Sequence, residues 1–268
     1  MIRAALAALA LSLPVAAAAH TFWLEAEAGT HAPGEEVRVE FRIGDTGEQA
    51  SPWGVYWERI ASLRLAGPDG VSDQQAALRV TTRAEQGRAE VLLPGEGSYV
   101  LAFESNHSFS DLEADRFDAY VASEGLTAIA AHRANSGAGD TNGTELYSRR
   151  AKVLLQAGER LTGNVTRPLG QTLEIVPLQN PLALDEGAPL DLMVLFRGEP
   201  LIGAQLSAQG LGGSGEAERF TTSADGVVRV AAPGDEAMLY AVVWGVPAPR
   251  DRRADYITIF ASLTIAGG

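Results

Sequence analysis

The chain has no cysteine among its 268 residues, so no disulfide framework, thiolate metal site or thiol nucleophile can contribute to it. Its only lysine is Lys152, in Arg150-Ala151-Lys152, which leaves no Gly-Lys-Ser/Thr loop to cradle a nucleotide's phosphates. Basic residues are outnumbered 21 to 34 by acidic ones, and a net charge of −13 offers no electrostatic footprint for nucleic acid or anionic lipid. No segment approaches the roughly 18 consecutive apolar residues of a membrane span, so the mature chain is expected not to insert in a bilayer. The serine-hydrolase elbow is missing, because Gly212-Gly213-Ser214-Gly215-Glu216 ends in the wrong residue, and there is no His-Glu-x-x-His. With nucleotide hydrolysis and the familiar hydrolases excluded, binding is expected rather than catalysis.

What is present begins with an export signal. Met1-Ile2-Arg3, an apolar run from Ala4 to Pro14 and the small residues Val15 to Ala19 supply the charged start, short hydrophobic core and cleavage site of a secretory peptide. A periplasmic location is expected, with residues 1–19 removed. Cleavage after Ala19 makes His20 the first residue, and a terminal histidine carries an α-amine and an imidazole Nδ1 that can chelate one metal together.

From Thr21 to Phe103, short segments alternate apolar and polar residues between turns such as Ala32-Pro33-Gly34, Gly67-Pro68-Asp69-Gly70 and Pro94-Gly95-Glu96-Gly97. Such spacing predicts an antiparallel sandwich. Ser110 to Glu113 reads as a capping box ahead of Phe117, Tyr120 and Val121, with Gly125 as helix stop, so a helical insertion is expected over about 111–134. Leu146–Gln156 fits strand or helix, its alternation favouring strand. After Gly170 the strand pattern restarts, with predicted strands that include Leu190–Phe196, Val227–Ala231 and Tyr256–Ile265. Pro200 to Ala204 resembles the edge of transthyretin-like or carboxypeptidase-regulatory-like sandwiches. The expected fold is mainly β: an N-terminal Ig-like or transthyretin-like sandwich at 20–168 carrying the helices, and a C-terminal sandwich at 169–268. Gly34–Gly44 and Gly187–Gly198 echo each other, as if each half opened with the same turn and strand.

The four histidines carry the remaining chemistry. His107, in Glu104-Ser105-Asn106-His107-Ser108-Phe109, follows a predicted strand and precedes the insertion, where loop side chains converge on a sandwich edge, so it is the second expected ligand. His31 reads as a turn residue and His132 as a helix residue. Trp53, Tyr56 and Trp57 read as core plugs rather than as a sugar platform.

His20-Thr21-Phe22-Trp23-Leu24-Glu25 directly after a signal, Ala32-Pro33-Gly34-Glu35, Phe117 to Leu126, Glu145 to Lys152 and Ala261-Ser262-Leu263-Thr264 together resemble the NikM-like domain-of-unknown-function family across nearly the whole mature chain. The resemblance implies secretion and the handling of cobalt or nickel, supports His20 with Phe22 and Trp23 behind it, and marks Tyr147, Arg149 and Lys152 as a recurring motif. The expectation is therefore a periplasmic protein that binds Ni, Co or Cu as divalent ions through His20 and His107 and serves an envelope metal transporter. Copper leads on affinity alone; the resemblance points to nickel or cobalt. The alternatives are an envelope sandwich that binds protein or carbohydrate without metal, and a copper oxidative enzyme.

Overall fold

The computed structural model describes residues 21–27, 29–47, 50–79, 87–213, 216–250 and 253–267, so the signal segment and His20 lie outside the described residues. The chain is mainly β. The first stretch lays down β1 (Thr21–Ala26), β2 (Thr30–His31), β3 (Glu36–Gly44), β4 (Ser51–Pro52), β5 (Ile60–Gly67), β6 (Gly70–Asp73), β7 (Leu78–Arg79), β8 (Arg88–Leu92), β9 (Gly97–Ser105) and β10 (Ser108–Leu112). Helices α1 (Ala114–Ser123) and α2 (Thr127–Ser136) follow, then β11 (Gly143–Ala157), β12 (Leu173–Pro177), β13 (Pro189–Phe196), β14 (Glu199–Pro200) and β15 (Gln205–Gly210). The chain ends with β16 (Glu218–Thr221), β17 (Val227–Ala231), β18 (Met238–Pro247) and β19 (Tyr256–Ile265). Among the described residues no helix is long and apolar enough to cross a membrane.

These strands form three sheets. A five-stranded sheet runs β1-β3-β8-β7 with β4 on β3, and a four-stranded sheet runs β12-β13-β14 with β17 on β13. Between them lies a ten-stranded sheet in the order β16-β15-β18-β19-β11-β9-β5-β6, with β10 and β2 also paired to β11. The two echoing segments form β3 and β13, each flanked by partners on both sides. The expected boundary at residue 168 falls in the loop before β12, yet the long sheet runs across it, because β11 pairs in parallel with β19 from Glu145↔Tyr256 to Leu154↔Ile265.

Pleating explains how one sheet serves two cores. On β11, Ala151, Val153, Leu155 and Ala157 face the five-stranded sheet and join Phe22, Leu24, Phe41 and Phe103 in one core. Leu154 points the other way, into a second core with the four-stranded sheet that also takes Ile259, Ala261, Leu263 and Ile265 from β19. The helices pack on the same face of the long sheet as the five-stranded sheet does, through Phe117, Tyr120, Leu126 and Ile129 against Val243, Tyr256 and Phe260.

Two local expectations need correction. The capping box does not form: Ser108–Leu112 is a strand paired with β11, α1 starts after Glu113 without a side-chain cap bond, and Ser110 Oγ donates to Glu145 Oε1 at 3.0 Å instead. Of the tryptophans read as core, Trp53 is buried, whereas Trp57 is 56% exposed on a short 3-10 turn. Gly125 does end α1 as expected, its φ of +64° being open to glycine at little cost.

Candidate functional site

The helices and β1 cover the same face of the long sheet, and between them lies a trough of about 290 Å³. Its floor follows from strand alternation. Leu206 and Ala208 of β15 turn into the second core, which leaves Gln205, Ser207 and Gln209 on the opposite face, half-buried along the trough. Ala241 and Val243 of β18 complete the floor, with Phe260 of β19 and Phe22 of β1 along one side and Arg219 of β16 along the other.

Both ends are closed by acidic turns. At the Gln205 end stand Ser123 and Glu124 at the close of α1, so near that a methyl group on Gly125 would meet the Gln205 Cβ at 3.3 Å. At the Gln209 end the turn after β3 brings Asp45 to the rim, and the Gly47 N–H donates to the Leu211 carbonyl at 3.1 Å. Among the described residues, the side chains of Asp45, Gln205, Gln209 and Arg219 make no hydrogen bond or ion pair. A walled polar trough whose donors and acceptors are unspent is the arrangement a small ligand requires.

The expected metal ligands relate to this trough differently. Thr21, the first described residue, lines it and pairs with Gly44, the residue before Asp45, while His20 lies outside the described residues. His107 sits in the exposed turn between β9 and β10 and is not among the residues that line the trough. That turn is pinned by Asn106, whose backbone N–H donates to the Arg59 carbonyl at 2.9 Å and whose side-chain amide reaches the Glu58 and Ile60 carbonyls. Ser105 Oγ accepts the Arg149 N–H at 2.8 Å, and the Arg149 guanidinium carbon stands 5.9 Å from the Phe22 ring centre. The start of β1 and the His107 turn therefore flank the same stretch of β11.

Among the described residues no group of three His, Cys, Asp or Glu side chains is placed to hold a metal ion. Asp45 and Glu124 close opposite ends of the trough, too far apart to share one ion. His31 is buried on β2, 3.7 Å from Glu35, and the His132 Nδ1 lies 3.2 Å from the Tyr256 hydroxyl; neither joins the other histidines.

The recurring motif on β11 divides between the two faces of the sheet. Arg149 is caged by the rings of Tyr147 at 5.1 Å, Phe260 at 5.8 Å and Phe22, and burial lowers its pKa while Tyr147 works in the opposite direction. Lys152 faces the second core and is bound to Glu174 at 3.0 Å, both side chains being buried. Glu174 also accepts the backbone N–H groups of Leu169, Gly170 and Gln171, so this pair organises the loop that leads into β12. Glu145, one alternation before Tyr147, is buried beneath the helices, and burial raises its pKa. Sequence reasoning missed the trough residues: the only trace they leave is the Gln-Leu-Ser-Ala-Gln alternation of β15.

The profile of a family described as a domain of unknown function, DUF4198, matches residues 17–242. The chain belongs to that family. No curated protein matches this DUF4198 chain. Among solved structures it is similar to dimeric latent PorU from Porphyromonas gingivalis, at 10% identity and a TM-score of 0.20, covering 89% of this chain and 20% of that one. It is also similar to a Salmonella alpha-2-macroglobulin mutant, at 14% identity and a TM-score of 0.22, covering 98% of this chain and 16% of that one. The DUF4198 chain thus spans a fifth or less of the length of either.

Proposed function

We propose that this DUF4198 protein is an exported periplasmic binding protein that takes up one divalent transition metal, nickel, cobalt or copper, at its processed N-terminus and passes it to an envelope metal transporter. The α-amine and imidazole of His20 provide the chelating pair. The supporting observation is the register of β1: Thr21 lies opposite Gly44, the residue before Asp45, and Asp45 is a carboxylate at the rim of the trough with no partner among the described residues. His107, on the turn across Arg149 from Phe22, is the second imidazole of this reading. The resemblance to the NikM-like proteins favours nickel or cobalt, whereas the N-rich, thiol-free donor set also suits copper.

The test starts from protein purified after export. Intact mass should give a chain beginning at His20, and calorimetric titration should show one site for Cu²⁺, Ni²⁺ or Co²⁺. His20→Ala should weaken binding by at least the ten- to hundredfold, roughly, that loss of an outer-shell partner already costs a metal site. His107→Ala should weaken it while the circular dichroism spectrum stays that of the parent. A mature chain starting upstream of His20, or equal affinity in parent and His20→Ala protein, would sink the proposal.

A further inference from the structure

We infer that the trough along β15 is a binding site for a neutral saccharide, independent of any metal at the N-terminus. The case begins with the hydrogen-bonding groups left unspent. Gln205 and Gln209 are half-buried, walled by α1 and by the turn after β3, and their side chains hydrogen-bond to none of the described residues. A carboxamide both donates and accepts, as a hydroxyl does, so two of them about 13 Å apart along one strand can serve successive hydroxyl groups of a ligand longer than one sugar ring. Ser207 between them is small, and Ala241 beside it is smaller, which leaves the floor room for a ring. Phe260 and Val243 offer an apolar strip for the C–H face of that ring, while Asp45 and Arg219 supply charged partners for further hydroxyls.

Other ligand classes fit less well. A bound peptide strand needs free backbone groups, but β15 is paired on both sides, with β16 through Gln205↔Thr221 to Ala208↔Glu218 and with β18 through Leu206↔Val242 to Gly210↔Met238. A phosphate or nucleotide would meet Arg219 alone on the floor side and carboxylates at both ends, in a chain of net charge −13. A lipid or other apolar body would bury two carboxamides without partners, which costs more than the Phe260 strip returns.

The experiment uses the full exported chain in excess EDTA, applied to an array of neutral and acidic oligosaccharides, followed by calorimetric titration with the strongest binder. Retention of neutral di- or trisaccharides is expected. Ser207→Trp, which fills the floor, should lower affinity more than about tenfold, and Gln205→Ala or Gln209→Ala about three- to tenfold each, the worth of one neutral hydrogen bond. Should Ser207→Trp fail to fold, the glutamine variants decide, since those side chains make no hydrogen bond among the described residues. No retained saccharide on folded protein, a preference for acidic ones, or equal binding by all variants would overturn the assignment. So would binding abolished by EDTA, which would make the contact metal-bridged. Because EDTA strips the metal and His20→Ala leaves the floor intact, failure of this site and failure of the metal reading are told apart.

Discussion

Glu145 shows how a single side chain on β11 couples the helices to the sheet. Its carboxylate accepts from Ser110 Oγ at 3.0 Å and from the Tyr120 hydroxyl at 3.4 Å, yet burial outweighs these bonds and raises its pKa above the ordinary 4.5. An acid whose folded pKa is raised binds its proton more tightly in the native state than in the unfolded one. Stability therefore falls as pH rises from about 4.5 through the folded pKa, because deprotonation leaves a charge where solvent is scarce. Glu145→Gln keeps the shape and one acceptor without that charge. Urea denaturation of both proteins across pH 4 to 7 should show the variant gaining on the parent as pH rises. A constant difference across the range would mean that folding leaves the pKa of Glu145 unshifted.

At the level of elements, a close approach at Gly143 helps to seat the helical insertion on the sheet. Gly143 begins β11 directly under the Phe117 ring, which is fully buried, and a methyl group there would overlap the ring carbons. Gly143→Ala should cost about 1–3 kcal/mol by overpacking, read from chemical denaturation, and Phe117→Leu in the same chain should restore part of it. Additive effects would mean that the two do not share that space. Elements of this kind were legible in the sequence to differing degrees, for physical reasons. Val227–Ala231 and Tyr256–Ile265 are readable end to end, since turn residues bracket each of them. Leu146–Gln156 reads ambiguously because most of β11 is buried on both faces, which erases the alternation that marks a strand. Ser108–Leu112 passes for a helix cap because a Ser-x-x-Glu spacing occurs whether or not a helix begins there. The trough was not legible at all. Gln205, Ser207 and Gln209 look like any solvated strand face, and only the fold brings Asp45, Glu124 and Phe22 around them. His107 was legible as a loop residue, but its placement beyond the trough depends on the pairing of β10 with β11.

At the scale of the whole molecule, the two sandwiches share a wall. The second core contains Ala66, Val100 and Leu154 from the first part of the chain, and the parallel ladder between β11 and β19 ties residues 145–154 to residues 256–265. Melting the four-stranded sheet would expose that core along the very strands whose other faces hold Leu65, Phe103 and Val153. Neither half can open without stripping the shared strand of a partner or a packed face, so unfolding should be cooperative across both. Scanning calorimetry should give one transition with calorimetric and van't Hoff enthalpies in agreement, and a chain ended at residue 170 should lack native circular dichroism and associate through the bare edge of β11. Metal at about 100 times its dissociation constant should then move the entire transition, by about 2.7 kcal/mol, rather than one half of it. Two separate transitions, or a stable monomer of residues 20–170 with its own metal site, would show that β11 serves the first sandwich alone and that the ladder to β19 adds little to the stability of either half.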